Sequence, residues 1–266
     1  SSRATRMKII AGPCQHESYP QSLKIAKHCY EVCHDLGGGG WGIDYYFKAS
    51  FDKANRTSLD SPRGQGIDVT LPAFMNLKKE IPGLKICTDV HTEAHINRCK
   101  GVVDMIQIPA FLSRQTDLIL AAAKTDCVIN IKKGQFMAPW DIEGIIGKLG
   151  ESTDYCITER GTSFGYNRLV VDFAGMDYML RRIGRKLVFD STHAVQNPGG
   201  EGSHSGGDRR LVPNLVRAAA AIGVSNFFVE VHEDPDNAPS DGPNMIRLED
   251  FEPLIRDICF VRKMLH

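Results

Sequence analysis

The sequence predicts an α/β protein of the closed (β/α)8, or TIM, barrel type, folded as a single domain. Three observations carry this. Short runs rich in β-branched and aromatic residues alternate with amphipathic stretches, eight of each. The runs are almost continuously apolar, as parallel strands covered by helices are. Eight such units also suit a chain of 266 residues. An open doubly wound sheet is the alternative, but the first turn lacks the G-x-G-x-x-G spacing that such sheets use for dinucleotides.

In chain order the strands fall at 7–11, 43–48, 84–89, 104–108, 127–132, 155–159, 187–190 and 227–231. Helices are expected over 20–36, 67–80, 92–99, 113–124, 139–148, 169–183, 208–222 and 248–264. Pro139 suits a first helical position, where its missing N–H costs nothing. Gly37 follows the first helix as a stop. The four-glycine run 37–40, ahead of Trp41, is longer than a turn requires and reads as a surface loop. A second glycine-rich stretch, 197–207, lies between the seventh strand and its helix and reads either as a lid over the strand ends or as a disordered connection. No linker, repeat or low-complexity tract divides residues 1–266.

Lys+Arg and Asp+Glu are both 32, so no global basic field points to nucleic acid and no polybasic run points to a membrane surface. No apolar run is long enough to span a bilayer, and residues 1–8 lack a signal-peptide core, Ser1-Ser2 reading as a tag remnant. The eight cysteines form no C-x-x-C pair and sit mostly in apolar runs, which fits a reduced, cytoplasmic protein.

Groups at the C-terminal ends of barrel strands converge on one mouth. In order these are Cys14, Lys48, Asp89, Gln107, Lys132-Lys133, Glu159-Arg160, His193 and Glu230. The stretch 47–58 is the densest: Lys48, Lys53 and Arg56, the amide of Asn55, and the hydroxyls of Ser50, Thr57 and Ser58 follow the aromatic run Tyr45-Tyr46-Phe47. With Lys132 and Arg160 these cations suit a ligand bearing more than one anionic group. A structural network with Asp52, Asp89 and Glu159 would accompany that role. Cys14, His193, Glu230 and Asp241 offer a thiolate, an imidazole and two carboxylates, a mixed set suited to a divalent transition metal such as Fe, Zn, Mn or Co. Each also has a structural reading: Cys14 as a small core residue, His193 as a satisfied core histidine, Glu230 as a lysine's partner, Asp241 as an Asp-Gly turn. The pairs His28-Cys29 and Cys33-His34 read as a helix face. Met75, Met137, Met176 and Met179 read as packing, and Trp140 as a loop anchor. His91, His95, His204 and His232 are less well placed than His193.

These residues fall within longer matching segments. They are Ala11-Gly12-Pro13-Cys14 with Glu17-Ser18, and the run from Phe47 to Arg56. Thr88-Asp89-Val90-His91, Ile106-Gln107-Ile108-Pro109-Ala110 with Arg114-Gln115-Thr116-Asp117, and Asn130-Ile131-Lys132-Lys133-Gly134 follow. Glu159-Arg160-Gly161, Phe189-Asp190 with Thr192-His193-Ala194, and Asp241-Gly242-Pro243 complete them. Over nearly its whole length the chain resembles the 3-deoxy-D-manno-octulosonate 8-phosphate synthases.

The resemblance implies a (β/α)8 barrel, commonly a homotetramer, that condenses phosphoenolpyruvate with D-arabinose 5-phosphate and releases phosphate. Its product serves lipopolysaccharide assembly in bacteria and pectin in plants. By position, Lys53, Lys132, Arg160, Gln107 and Ala110 would hold phosphoenolpyruvate, while Lys48, Asn55, Arg56 and Asp89 would hold the pentose phosphate. Thr57 and Ser58 follow the phosphate-binding Arg56. Arg114 resembles a residue that reaches a neighbouring subunit's site. His193 and Asp241 would take part in catalysis beside Lys53 and Lys132. Cys14, where a metal-free class has Asn, implies the metal-dependent class, with Cys14, His193, Glu230 and Asp241 as ligands. Ser240 and Gly134 resemble that class too. The segment 37–42 is longer than the family leads one to expect.

Other chemistries weighed on the sequence are condensation with erythrose 4-phosphate, a Schiff-base aldolase using Lys132, and a phosphate receptor without chemistry. Lys53-Ala54-Asn55-Arg56 stands against the first, whose enzymes typically carry a Pro-Arg-Thr segment there.

Overall fold

The structure is a computed structural model that describes residues 6–38, 42–198 and 206–265. Eight parallel strands run β1 (Met7–Gly12), β2 (Ile43–Lys48), β3 (Lys85–Asp89), β4 (Met105–Ile108), β5 (Val128–Lys132), β6 (Tyr155–Glu159), β7 (Leu187–Asp190) and β8 (Asn226–His232). Each pairs with the next, and β8 returns to β1 in the register Lys8↔Asn226 through Gly12↔Glu230, which closes the barrel. The helices are α1 (Tyr19–Gly37), α2 (Ile67–Glu80), α3 (Glu93–Cys99), α4 (Thr116–Ala123), α5 (Ile142–Leu149), α6 (Phe173–Ile183), α7 (Val212–Ala221) and α8 (Phe251–Met264). Caps explain several starts. Ser18, Thr92 and Asp172 accept the backbone N–H of Gln21, His95 and Gly175, and so satisfy donors that a helix start leaves free.

The differences from expectation are local. Leu169–Val170 is a short strand paired with Thr162–Ser163, so α6 begins four residues later than 169. Its two apolar residues mimic a helix start because they continue the apolar pattern of α6. Pro139 does sit at an N1 position, but of a 3-10 turn, Pro139–Asp141, that leads into α5. Gly37 ends α1 rather than stopping it, and Gly38 caps it in the right-handed region. Met137, Met176 and Met179 are core, whereas Met75 is half exposed. Trp140 is exposed and meets Tyr178 edge-on. The lid reading of 197–207 rests on 199–205, including His204, which lie outside the described residues, as do 39–41. Gln196–Asn197 pairs with Gly206–Gly207 at the base of that segment.

Side chains on a strand alternate between lumen and helix layer. The lumen holds its own apolar cluster of Ile10, Tyr46, Cys87, Met105, Cys156, Val188 and Phe228. Two residues on from each of five of these stand Lys48, Asp89, Gln107, Asp190 and Glu230. In the same phase come Lys132, four on from Val128, and Arg160, four on from Cys156. The lumen therefore has an apolar floor and an ionised upper layer. Gly12 belongs to the same layer, and a Cβ there would lie 2.0 Å from the Lys48 carbonyl oxygen. Only glycine lets β1 and β2 approach so closely.

Alternation also corrects the list of converging strand ends. Lys133 and Glu159 are out of phase with the lumen and pair with each other in the helix layer, Nζ to Oε2 at 3.2 Å. Lys133 further donates to the Met137 carbonyl, and Gly161 N–H donates to Glu159. Both side chains are buried. Lys133→Met alone strands a buried carboxylate and is expected to cost about 3–5 kcal/mol, whereas Lys133→Met with Glu159→Leu recovers most of it. Denaturant unfolding of the single and double variants checks this.

Candidate active site at the C-terminal end of the barrel

The ionised layer floors a cavity of about 610 Å³. Lys48, Lys53, Asn55, Arg56, Thr57, Ser58, Asp89, Gln107, Ala110, Lys132, Arg160, His193, Glu230 and Asp241 all line it. Cys14 lies buried in the loop after β1, 2% exposed, with its sulfur against Asp241. Arg114 does not join the cavity: it is exposed, and its carbonyl accepts from Lys148. His91, which sequence placed below His193, does line the cavity, 3.4 Å from Asp89.

The cations divide into two kinds. Lys48 is embedded among acceptors: it donates to the Cys14 carbonyl at 3.2 Å and Ser50 Oγ at 2.9 Å, and lies 3.7 Å from Glu230 and 3.9 Å from Asp89. Ser50 in turn donates its hydroxyl hydrogen bond to Asp89. Burial acts to raise the Asp89 carboxyl, but Lys48, His91 and Lys53 overcome it and hold it well below the usual carboxylate range. Lys132 donates to Asp190 and packs 3.3 Å from the centroid of the Phe228 ring. Burial pushes its ammonium down to about 8 in spite of Asp190.

Lys53, Arg56 and Arg160 are the second kind. None of them makes an ion pair among the described residues. Arg56 donates to the Pro239 carbonyl at 3.0 Å, and Arg160 to Gln196 Oε1 at 2.8 Å. Arg160 Nε is buried without a partner among the described residues. Burial lowers the Lys53 ammonium, but Cys14, Asp89, Glu230 and Asp241 around it leave it raised overall and charged. Asp52, expected among the partners of this cluster, is taken by Arg63 instead. Three cations that make no direct ion pair among the described residues suit a ligand with anionic groups.

A second constellation adjoins them. Cys14, Glu230 and Asp241 each place one donor atom within 4.8 Å of the others. His193 Nε2 lies 3.1 Å from Asp241 Oδ2 and 3.8 Å from Glu230 Oε1. Asp190 holds that ring: His193 Nδ1 meets its Oδ2 at 2.7 Å, which turns Nε2 toward the carboxylates. Asp241 adopts φ 53, a left-handed conformation that Asp tolerates better than most residues. Its neighbour Ser240 is tied to Gln15, next to Cys14. Both Glu230 carboxylate oxygens are buried with no hydrogen-bond partner among the described residues. A buried carboxylate left this way is costly unless a cation meets it, and Lys48 stands only at 3.7 Å. The donor set and the orphaned oxygens fit a bound metal ion.

Two functional groups escaped the sequence reading. Asp190 carries a readable signal, since it is in lumen phase with Val188. Gln196 carries none: it lies in a loop, and only the fold brings it against Arg160 and Asp241.

Comparison with known proteins agrees with this geometry. The model of the DAHP synthetase I family matches residues 2–264. A 2-dehydro-3-deoxyphosphooctonate aldolase of Chelativorans sp. (strain BNC1) is 51% identical over 251 residues, 94% of this chain and 88% of its own. The protein of that name from Agrobacterium fabrum is 51% identical over 255 residues, 95% and 88% of the two chains. That from Rhizobium meliloti is 50% identical over 259 residues, 97% and 90%.

Sulfate keeps its charge through neutral and alkaline pH and so reports the charge of the cavity. Its affinity, measured by calorimetry, is expected to fall as the pH rises through about 8, where Lys132 loses its proton. Lys132→Met is expected to weaken binding by about 1.5–3 kcal/mol and to flatten that pH dependence.

Proposed function

The chain belongs to the DAHP synthetase I family, and from this and its relatives we infer that it condenses phosphoenolpyruvate with D-arabinose 5-phosphate and water. The products are 3-deoxy-D-manno-octulosonate 8-phosphate and inorganic phosphate. It is a transferase of lipopolysaccharide-sugar biosynthesis. The observation that carries the reading is the set of three cations without an ion pair among the described residues, Lys53, Arg56 and Arg160, in one cavity with His193, Glu230 and Asp241 and with Cys14 buried beside it. Two phosphates and a carboxylate supply the anions that those cations lack.

Lys53, Lys132 and Arg160, with Gln107 and the Ala110 backbone, would hold phosphoenolpyruvate. Lys48, Asn55, Arg56 and Asp89 would hold the pentose phosphate, with Thr57 and Ser58 as hydroxyl donors beside Arg56. C3 of phosphoenolpyruvate attacks the aldehyde carbon while water adds at C2. The hemiketal phosphate so formed then collapses and expels phosphate. The residues act by positioning and by fixed charge aimed at the oxygens that become negative. Cys14, His193, Glu230 and Asp241 would hold a divalent transition ion of the Fe, Zn, Mn or Co type. Such an ion supplies Lewis-acid polarisation and an activated water when bound. Asp190 keeps His193 Nδ1 engaged and leaves Nε2 facing Asp241 and Glu230.

The chain further reads as a cytoplasmic homotetramer. No helix of the described residues is long and apolar enough to cross a membrane, and all eight cysteines are free. Arg114, exposed and apart from its own cavity, is free to reach a neighbour's mouth. The erythrose 4-phosphate alternative still meets the Lys53-Ala54-Asn55-Arg56 segment as an obstacle. A Schiff-base aldolase would draw on the lowered proton affinity of Lys132, and borohydride trapping is expected to find no adduct.

An end-point assay with phosphoenolpyruvate and each aldose phosphate tests the whole reading. Arabinose 5-phosphate is expected to release phosphate and erythrose 4-phosphate not to. Chelation is expected to abolish the activity and a divalent ion to restore it. Full activity in a metal-free preparation would remove the metal from the proposal. Cys14→Asn is expected to retain partial activity that chelators no longer affect. Arg56→Ala is expected to raise KM for arabinose 5-phosphate by roughly tenfold or more, from the loss of about 1.5–3 kcal/mol of charge-assisted bonding. KM for phosphoenolpyruvate should move little by comparison.

A further inference from the structure

Gln196 sits between the two constellations and touches both. Its side chain is 8% exposed and lines the cavity. Its Oε1 accepts from Arg160 Nη2 at 2.8 Å, and its Nε2 donates to Asp241 Oδ1 at 3.2 Å. The amide has one orientation that works, since a flip would set oxygen against carboxylate and NH2 against guanidinium. Asp241 Oδ2 is the oxygen that Cys14 and His193 approach, so the amide engages the other one. On the Arg160 side, the bond leaves the buried Nε as the donor without a partner.

The backbone holds Gln196 in register. Gln196 pairs with Gly207, and a Cβ at Gly207 would lie 1.5 Å from Asn244 Oδ1. Asn244 N–H in turn donates to the Asp241 carbonyl at 3.0 Å. The short ladder and the Asp241 turn therefore pack as one piece.

We propose that Gln196 is a positioning residue that fixes Arg160 and Asp241 together, so that anion capture and metal ligation share one hydrogen-bonded link. The proposal rests on the functional reading above. It implies that a change at Arg160 is felt at the metal set without any substrate present, and that the signal passes through the Gln196 amide. Direct charge effects are separated by Arg160→Lys, which keeps the cation but loses the planar donor that meets Oε1.

The test is a double-mutant cycle read by Mn2+ affinity of the metal-stripped protein without substrate, measured by competition with an indicator chelator. Arg160→Lys is expected to weaken Mn2+ binding about three- to tenfold with Gln196 in place, and to leave it unchanged in the Gln196→Met background. Gln196→Met itself is expected to weaken both Mn2+ binding and, separately, phosphoenolpyruvate binding. Equal effects of Arg160→Lys in both backgrounds, or none in either, overturn the link. If Gln196→Met does not fold, Gln196→Leu serves as the second background. An unaltered chain that binds neither Mn2+ nor phosphoenolpyruvate overturns the functional reading, and the link with it.

Discussion

Charge taken out of water is the constraint on which this structure turns. The upper layer of the lumen buries Lys48, Asp89, Lys132, Asp190 and Glu230. Each ion removed from solvent costs several kcal/mol unless a partner with good geometry meets it. Lys132 meets Asp190, and Lys48 meets Ser50 and a backbone carbonyl while facing Asp89. Glu230 and Arg160 keep atoms unmatched. Those deficits suit a cation at Glu230 and an anion at Arg160, as the proposed function requires. The apolar cluster below, with Phe228 under Lys132, keeps water from making up the difference.

Loops complete what the strands begin. Cys14, His193 and Asp241 belong to three separate connections, yet Cys14 and His193 both reach Asp241 Oδ2. The ties are specific: Ser240 to Gln15, Arg56 to the Pro239 carbonyl, His193 to Asp190. On the outer side of the same loops, His232 Nε2 meets the Glu17 carboxylate at 3.0 Å and joins the end of β8 to the start of α1. Ser240 joins the last connection to the first and Arg56 joins it to the connection after β2, so the site is framed around its rim as well as from beneath.

The barrel was legible because its signals are periodic. Apolar runs mark strands wherever both faces are buried, and all eight fell within a residue or two of expectation. Lys48, Asp89 and Lys132 follow directly, since each ends a run. Lys133 and Glu159 were misread because strand ends were taken without their alternation. One step of phase separates a lumen side chain from one in the helix layer. Leu169–Val170 misled for a related reason, as two apolar residues fit a helix as well as a strand. Cys14, His193 and Asp241 have no mutual spacing in the chain, and residue chemistry alone left them open. Resemblance strengthened the metal reading, and the fold places Cys14, Glu230 and Asp241 together with His193 against Asp241. Gln196 was invisible because its role exists only across loops.

Gly12 has a consequence of a different kind. A side chain there would have to occupy the space of the Lys48 carbonyl oxygen. A change of size or charge at one lumen side chain can be offset by a change in the side chain it meets. Position 12 has no such freedom, because what presses on it is main chain, which every residue at 48 shares. A catalogue of tolerated variants along the rim of this barrel would thus show a gap at a residue that touches no ligand. The narrowest requirement of the site would be an empty space rather than a functional group.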